Sequence, residues 1–143
     1  FRSFDVIETV SRKKIFYKIV HYASLFDKPM KILLEVNPSA EESKSGLTYG
    51  EIESFLEEIE LNSPETYQPV KVEGFMTIGN PFLAEKEKRL EFREFVSRMK
   101  VFRKKFPMIG KQLSFGMSSD YRIALEEGST EVRLGTTLFG PRE

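Results

Sequence analysis

The stretch Val132-Arg133-Leu134-Gly135-Thr136-Thr137 sets a cation, a glycine and two hydroxyls at the end of an alternating run. Val132 and Leu134 flank Arg133 with the two-residue period of a half-buried strand, which Gly135 ends. Glycine has no Cβ, so the backbone N–H groups around Gly135 and Thr136 can approach an anion closely. Upstream, Leu113-Ser114-Phe115 runs into Gly116-Met117-Ser118-Ser119-Asp120 and then into the helical run Tyr121 to Glu127. A strand that ends in glycine and serines at the start of a helix favours phosphate or carboxylate. Alone, either element is an ordinary turn. On neighbouring strand ends, the serines Ser118 and Ser119 and the run Gly135 to Thr137 would offer anion-binding groups on one rim.

Other chemistry is excluded or thin. The chain has no cysteine, which removes disulfides, thiolate metal sites and a Cys nucleophile. Its one histidine, His21, cannot build a multi-histidine metal site or support a Ser-His pair. His21 falls beside an apolar helical stripe and reads as a surface residue. Twenty-two Lys and Arg balance 22 Asp and Glu, so no overall field draws nucleic acid or an acidic membrane. With 40% hydrophobic and 31% charged residues, the 143-residue chain suits a single globular domain over 1–143. No apolar run approaches the roughly 18 residues of a membrane helix and no signal-peptide pattern opens the chain, so the expected compartment is the cytoplasm.

The elements that must position these residues follow from periodicity. Phe4 to Ile7 reads as a short strand. Ile15, Phe16, Ile19, Val20, Ala23 and Phe26 recur at helical spacing, and Pro29 closes that segment. Met30 to Val36 is nearly all apolar, as in a parallel strand buried on both faces, and Asn37-Pro38 stops it. A polar loop, Ala40 to Leu47, holds Ser43-Lys44-Ser45-Gly46, which lacks the leading glycine of a Walker loop. Thr48 and Glu51 have capping-box spacing ahead of a helix from Tyr49 to Leu61. A strand is expected over Val70 to Ile78, stopped by Gly79-Asn80-Pro81. A long helix then runs from Ala84 to Phe106. Its aromatic side (Phe92, Phe95, Phe102) faces the core, and its charged side, including Lys88, Arg89 and Arg93, reads as solvated surface with i,i+4 pairing. The strand at Leu113, the helix to Glu127 closed by Gly128, and the strand Val132 to Leu134 complete the order.

Strands alternating with helices over short connections predict an α/β fold with a parallel sheet, and such folds carry their functional loops at the carboxyl ends of strands. Asn37, Ser43 to Gly46, Gly79, Gly116 to Ser119 and Gly135 to Thr137 all fall there. Five units fit an open doubly wound sheet, or five of the eight units of a barrel. Periodicity does not separate the two.

The blocks LLEVN, EESKSG, GFMTIG, LSFGMSSD and VRLGTTLFG, in this order and spacing, resemble the pyridoxal phosphate homeostasis proteins (YggS-like), barrels similar to the amino-terminal domain of alanine racemase. The resemblance runs from about Phe4 to Glu143. It implies a (β/α)8 TIM-barrel fold of which this chain supplies roughly the last five βα units, beginning near the fourth strand. It implies pyridoxal 5′-phosphate (PLP) as cofactor. Ser118 matches the serine that helps hold the cofactor phosphate, Gly135 and Thr136 match the pair that completes that site, and Arg133 matches the arginine facing the pyridine nitrogen. The lysine that forms the Schiff base lies on the family's first strand, and none of Lys31, Lys44, Lys71 or Lys111 matches it. Where the family has His-Ser, this chain has Glu8-Thr9. Asn37 and Lys44 lie in family blocks without an assigned contact.

The reading that follows is a non-catalytic PLP-binding homeostasis protein, monomeric when the barrel is complete, with the fragment associating through exposed strand edges. Its small-molecule partner is the cofactor; nucleic acid and membrane are not expected. The rival is a racemase-like PLP enzyme acting on amino acids, which needs a lysine base and an opposing tyrosine. Tyr49, Tyr67 and Tyr121 fall in loops or helices. A third reading is a generic phosphate-binding α/β domain.

Overall fold

The structure, a computed structural model, describes residues 3–40, 44–62 and 67–141. Ser43, counted above among the rim residues, lies outside them, as does Phe1. The elements run β1 (Val6–Val10), α1 (Lys13–Leu25), β2 (Met30–Val36), α2 (Tyr49–Leu61), β3 (Val70–Thr77), α3 (Glu85–Lys105), β4 (Gln112–Met117), α4 (Tyr121–Glu126), β5 (Glu131–Arg133) and α5 (Thr136–Phe139).

All five strands are parallel and pair in sequence order, β1-β2-β3-β4-β5. A doubly wound sheet must reverse its strand order so that helices reach both faces. Here nothing reverses, and right-handed crossovers then lay the helices on one face. One apolar core joins Phe16 of α1, Phe55 of α2 and Phe92, Phe95 and Phe102 of α3 to Ile32 and Leu34 of β2, Phe75 of β3 and Phe115 of β4. Phe92 and Phe95 bracket Phe115, with ring centroids 4.8 and 5.4 Å away. Leu33 and Met76 are just as buried but stand outside that core, on the other face of the sheet. On that face the Ser114 hydroxyl of β4 donates to Glu8 Oε2 of β1 at 2.9 Å. Three strand spacings on a flat sheet would put about 14 Å between them. The sheet is therefore curled, with the helices outside: five βα units of a (β/α)8-type half-barrel.

Local chemistry sets the details. Thr48 Oγ1 accepts from Glu51 N–H while Glu51 accepts from Thr48 N–H at 2.8 Å, the expected capping box. Leu47 N–H donates to Glu35 O and Asn37 N–H to Leu47 O, both at 2.8 Å, which straps the loop end alongside β2. Gly74 lets β3 pass close to β4, since a Cβ there would sit 1.8 Å from the Gln112 carbonyl oxygen. Three expectations change. β1 starts later, at Val6, and runs through Glu8 and Thr9 to Val10. Lys88 is not on the solvated face of α3: it is buried and its ammonium lies 3.7 Å from Asp120, also buried. A short helix, α5, follows β5 where a loop was expected. The rest of the charged face of α3 does more than pair along its own helix. Arg89 reaches Glu85, Glu126 and Glu127, and Arg93 reaches Glu127 at 2.6 Å, which clamps α3 to the end of α4.

Candidate functional site

The carboxyl ends of β4 and β5 meet as the sequence implies. β4 continues through Gly116, whose φ of +95° suits glycine. A Cβ there would come within 2.4 Å of Ala124 Cβ, so the glycine lets α4 close onto the strand. The turn that follows is tied by Asp120, whose Oδ1 accepts from Met117 N–H at 2.7 Å and whose own N–H donates to Met117 O. This turn presents Ser118. Its Oγ accepts from Gly135 N–H at 3.1 Å and from Thr137 N–H at 3.2 Å. Two backbone donors from beyond β5 thus converge on one oxygen from beyond β4. The side of Gly135 that a Cβ would occupy is open, with no atom within 4 Å, and Thr136 is exposed beside it. Of the residues named from sequence, Ser118, Gly135 and Thr136 are brought together. Thr137, whose N–H is the second donor, shares the rim position and local signal of Thr136, although the family resemblance assigns it no contact.

Arg133 reaches inward, across the concave face. Its guanidinium donates to Ser114 Oγ at 2.6 Å and to the Thr77 carbonyl at 2.9 Å. Ser114 in turn donates to Glu8 Oε2, which lies 4.0 Å from the guanidinium itself. Burial pulls Arg133 below its ordinary value, opposed by the charges of Glu8, Glu131, Glu35 and Asp120. Glu8 and Glu131 were not recognised as site residues, because their meeting depends on curling the sheet. Glu131 accepts from Gln112 Nε2. Hydrogen bonding with the Glu8 carboxyl, then burial, then repulsion from Glu8 push the Glu131 carboxyl up to about 7, with Arg133 acting the other way.

A stability signature follows. The folded chain keeps a proton on Glu131 that the unfolded chain releases near pH 4.5. The resulting stabilisation is complete below that pH and is lost as pH rises through about 7. Glu131→Gln therefore raises the thermal midpoint at pH 8 and changes it less at pH 5. Melting curves at the two pH values check this, and an equal shift at both contradicts it.

A cavity of about 610 Å³ opens elsewhere, between Ile59, Tyr67, Val70, Val72 and Met108 at the amino end of β3, and touches none of these groups. The polar groups of Ser118, Gly135, Thr137 and Arg133 converge at the opposite rim. Asn37 is buried at the end of β2, where its Nδ2 donates to Lys44 O at 3.4 Å and its Oδ1 accepts from Ser39. His21 is exposed against Tyr22. Among the described residues there is no cluster of three or more His, Asp or Glu that could hold a metal, and no helix is long and apolar enough to cross a membrane.

The model of the family described as alanine racemase, N-terminal domain, matches residues 2–143. The chain is 34% identical over 140 residues to the pyridoxal phosphate homeostasis protein of Vibrio alginolyticus, covering 98% of this chain and 58% of that protein. It is 35% identical over 139 residues to the protein of that name from Aquifex aeolicus, covering 96% and 58%. In structure it is similar to PipY of Synechococcus elongatus with PLP bound, with a TM-score of 0.86 and 26% identity over 97% of this chain and 62% of that one. The chain thus spans less than two thirds of the length of these relatives. The match along its whole length and the half-barrel agree: the chain belongs to the family of the alanine racemase N-terminal domain.

Proposed function

We propose that residues 1–143 form one domain, the carboxyl-terminal portion of a PLP-binding barrel that holds the cofactor for cellular PLP homeostasis without turning substrate over. The observation that carries this is the convergence of the Gly135 and Thr137 N–H groups on Ser118 Oγ, with Arg133 on the next strand face. The two donors already fix an oxygen, the open side of Gly135 leaves room, and the Ser118 hydroxyl proton is free to donate. The residues fit a phosphate ester. In this reading Ser118, Gly135 and Thr136 hold the phosphate, and Arg133 faces the ring nitrogen.

PLP supplies an aldehyde that condenses with amines and, in enzymes, a ring that accepts electrons. That second use depends on a protonated ring nitrogen, and an arginine, which stays charged, disfavours a proton beside it. The racemase reading gains no support from the strands, which carry no tyrosine. Lys31 and Lys71 sit at the second positions of β2 and β3, far along the strands from the rim. The Schiff-base lysine is accordingly assigned outside this chain. The balance of charges favours a small-molecule partner over nucleic acid or a membrane, and we place the protein in the cytoplasm. β1 and β5 are the outer strands here, and they close either on further strands of a monomeric barrel or on a partner.

Ser118→Ala and Thr136→Val should each weaken PLP about tenfold, the worth of a hydrogen bond to a charged group. Absorbance titration measures this, with alanine racemisation assayed in parallel. Unchanged affinity in both variants, or measurable racemisation, overturns the reading.

A further inference from the structure

The turn that presents Ser118 is backed by a buried ion pair outside the phosphate rim. Asp120 is 7% exposed, and Lys88, in the first turn of α3, is 8% exposed. The two oxygens of the Asp120 carboxylate have separate partners. Oδ1 accepts from Met117 N–H at 2.7 Å, and Oδ2 lies 3.7 Å from the Lys88 ammonium. Ser118 follows Met117 in this turn, and its Oγ accepts from the Gly135 and Thr137 N–H groups at 3.1 and 3.2 Å. A carboxylate held at both oxygens cannot turn about its last side-chain bond without giving up a partner.

Burial makes the cation necessary. An exposed aspartate could tie the turn alone, with water solvating its outer oxygen. In a buried place the charge has little water, and a buried carboxylate without its cation is strongly penalised. It escapes that penalty by swinging toward solvent or by taking up a proton, and either change weakens its charge-assisted bond to Met117 N–H. Among the described residues no second cation is paired with Asp120. Arg89 and Arg93 clamp α3 to Glu127 at the end of α4, so the helix that carries the ammonium and the turn it serves are fixed to each other. We propose that Lys88, acting through Asp120, is a positioning residue for Ser118, so that α3 helps to set the phosphate end of the site. The consequence for PLP rests on the proposed function; the geometry does not.

The test begins on the cofactor-free protein as its gene expresses it, with backbone amide NMR shifts recorded well below the melting temperature of every variant. In Lys88→Met the Met117 amide proton should move upfield, as a weakened bond to a carboxylate requires, by more than any amide of β2. Lys88→Met combined with Asp120→Asn leaves no unpaired charge and keeps an acceptor for Met117 N–H, so the signal should return. Lys88→Gln removes the charge with a smaller change of shape. It should move the same signal, and it carries the test if Lys88→Met does not fold. An unmoved Met117 amide in the folded single variants overturns the inference whether or not PLP binds. A second arm measures the dissociation constants of PLP and of pyridoxal, which lacks the phosphate. The ratio of PLP to pyridoxal should rise about fivefold in the single variants and return to within about twofold in K88M/D120N, as loosening one hydrogen-bonding group would cause. A merely structural role would lower the melting temperature and leave both the Met117 signal and this ratio where they are. An unchanged ratio contradicts the inference, whereas failure of every protein, wild type included, to bind PLP contradicts the proposed function instead.

Discussion

Asp120→Ala lowers the unfolding free energy by about 3–5 kcal/mol, the cost of leaving a buried charge without its partner. Lys88 and Asp120 are both buried, and truncating the aspartate strands the ammonium under α4. It also frees the Met117 N–H that Asp120 ties. Adding Lys88→Met removes the stranded charge and should restore most of the loss. Urea unfolding of the two variants decides: a loss below about 1 kcal/mol in the single variant would show that Lys88 finds another partner. The same change reaches function, because the turn Asp120 closes is the one that presents Ser118. PLP affinity should therefore stay reduced in the double variant even where stability returns.

Arg133→Leu weakens PLP by about 10- to 100-fold, the range for one or two hydrogen bonds to a charged group. It also leaves Glu8 and Glu131 without their cation, which adds repulsion toward an anionic ligand. Inorganic phosphate has no ring nitrogen, so its affinity should fall much less. Titrating both ligands against the variant separates the ring end of the site from the phosphate end. An equal loss for both would mean that Arg133 serves the phosphate directly.

Much of the fold could be read from local signals. β2 runs from Met30 to Val36 and α2 from Tyr49 to Leu61 as periodicity and the Thr48–Glu51 spacing imply. Ser118 and Gly135 could be read because each closes a strand within a few residues of sequence. The choice between open sheet and barrel could not, since it depends on strand order and every βα unit looks alike in either. β1 was misplaced because Glu8 and Thr9 look like the end of a strand. What keeps Glu8 in the strand face is Ser114, 106 residues away. Lys88 was read as solvated because its partner, Asp120, belongs to another element. The carboxyl pair escaped for the same reason: no spacing within the sequence says that β1 and β5 face one another.

In the proposed site Ser118, Gly135 and Thr136 hold the phosphate, with the Thr137 N–H beside them, while Arg133 faces the ring nitrogen. Crystals of the expressed protein soaked with PLP test it most directly. The account predicts the phosphate within hydrogen-bond reach of the Gly135 and Thr137 N–H groups and of Ser118 Oγ, with the pyridine nitrogen at the Arg133 guanidinium. A phosphate seated instead in the basic cleft of Arg12, Lys13 and Lys44, with the Ser118 rim empty, would contradict it.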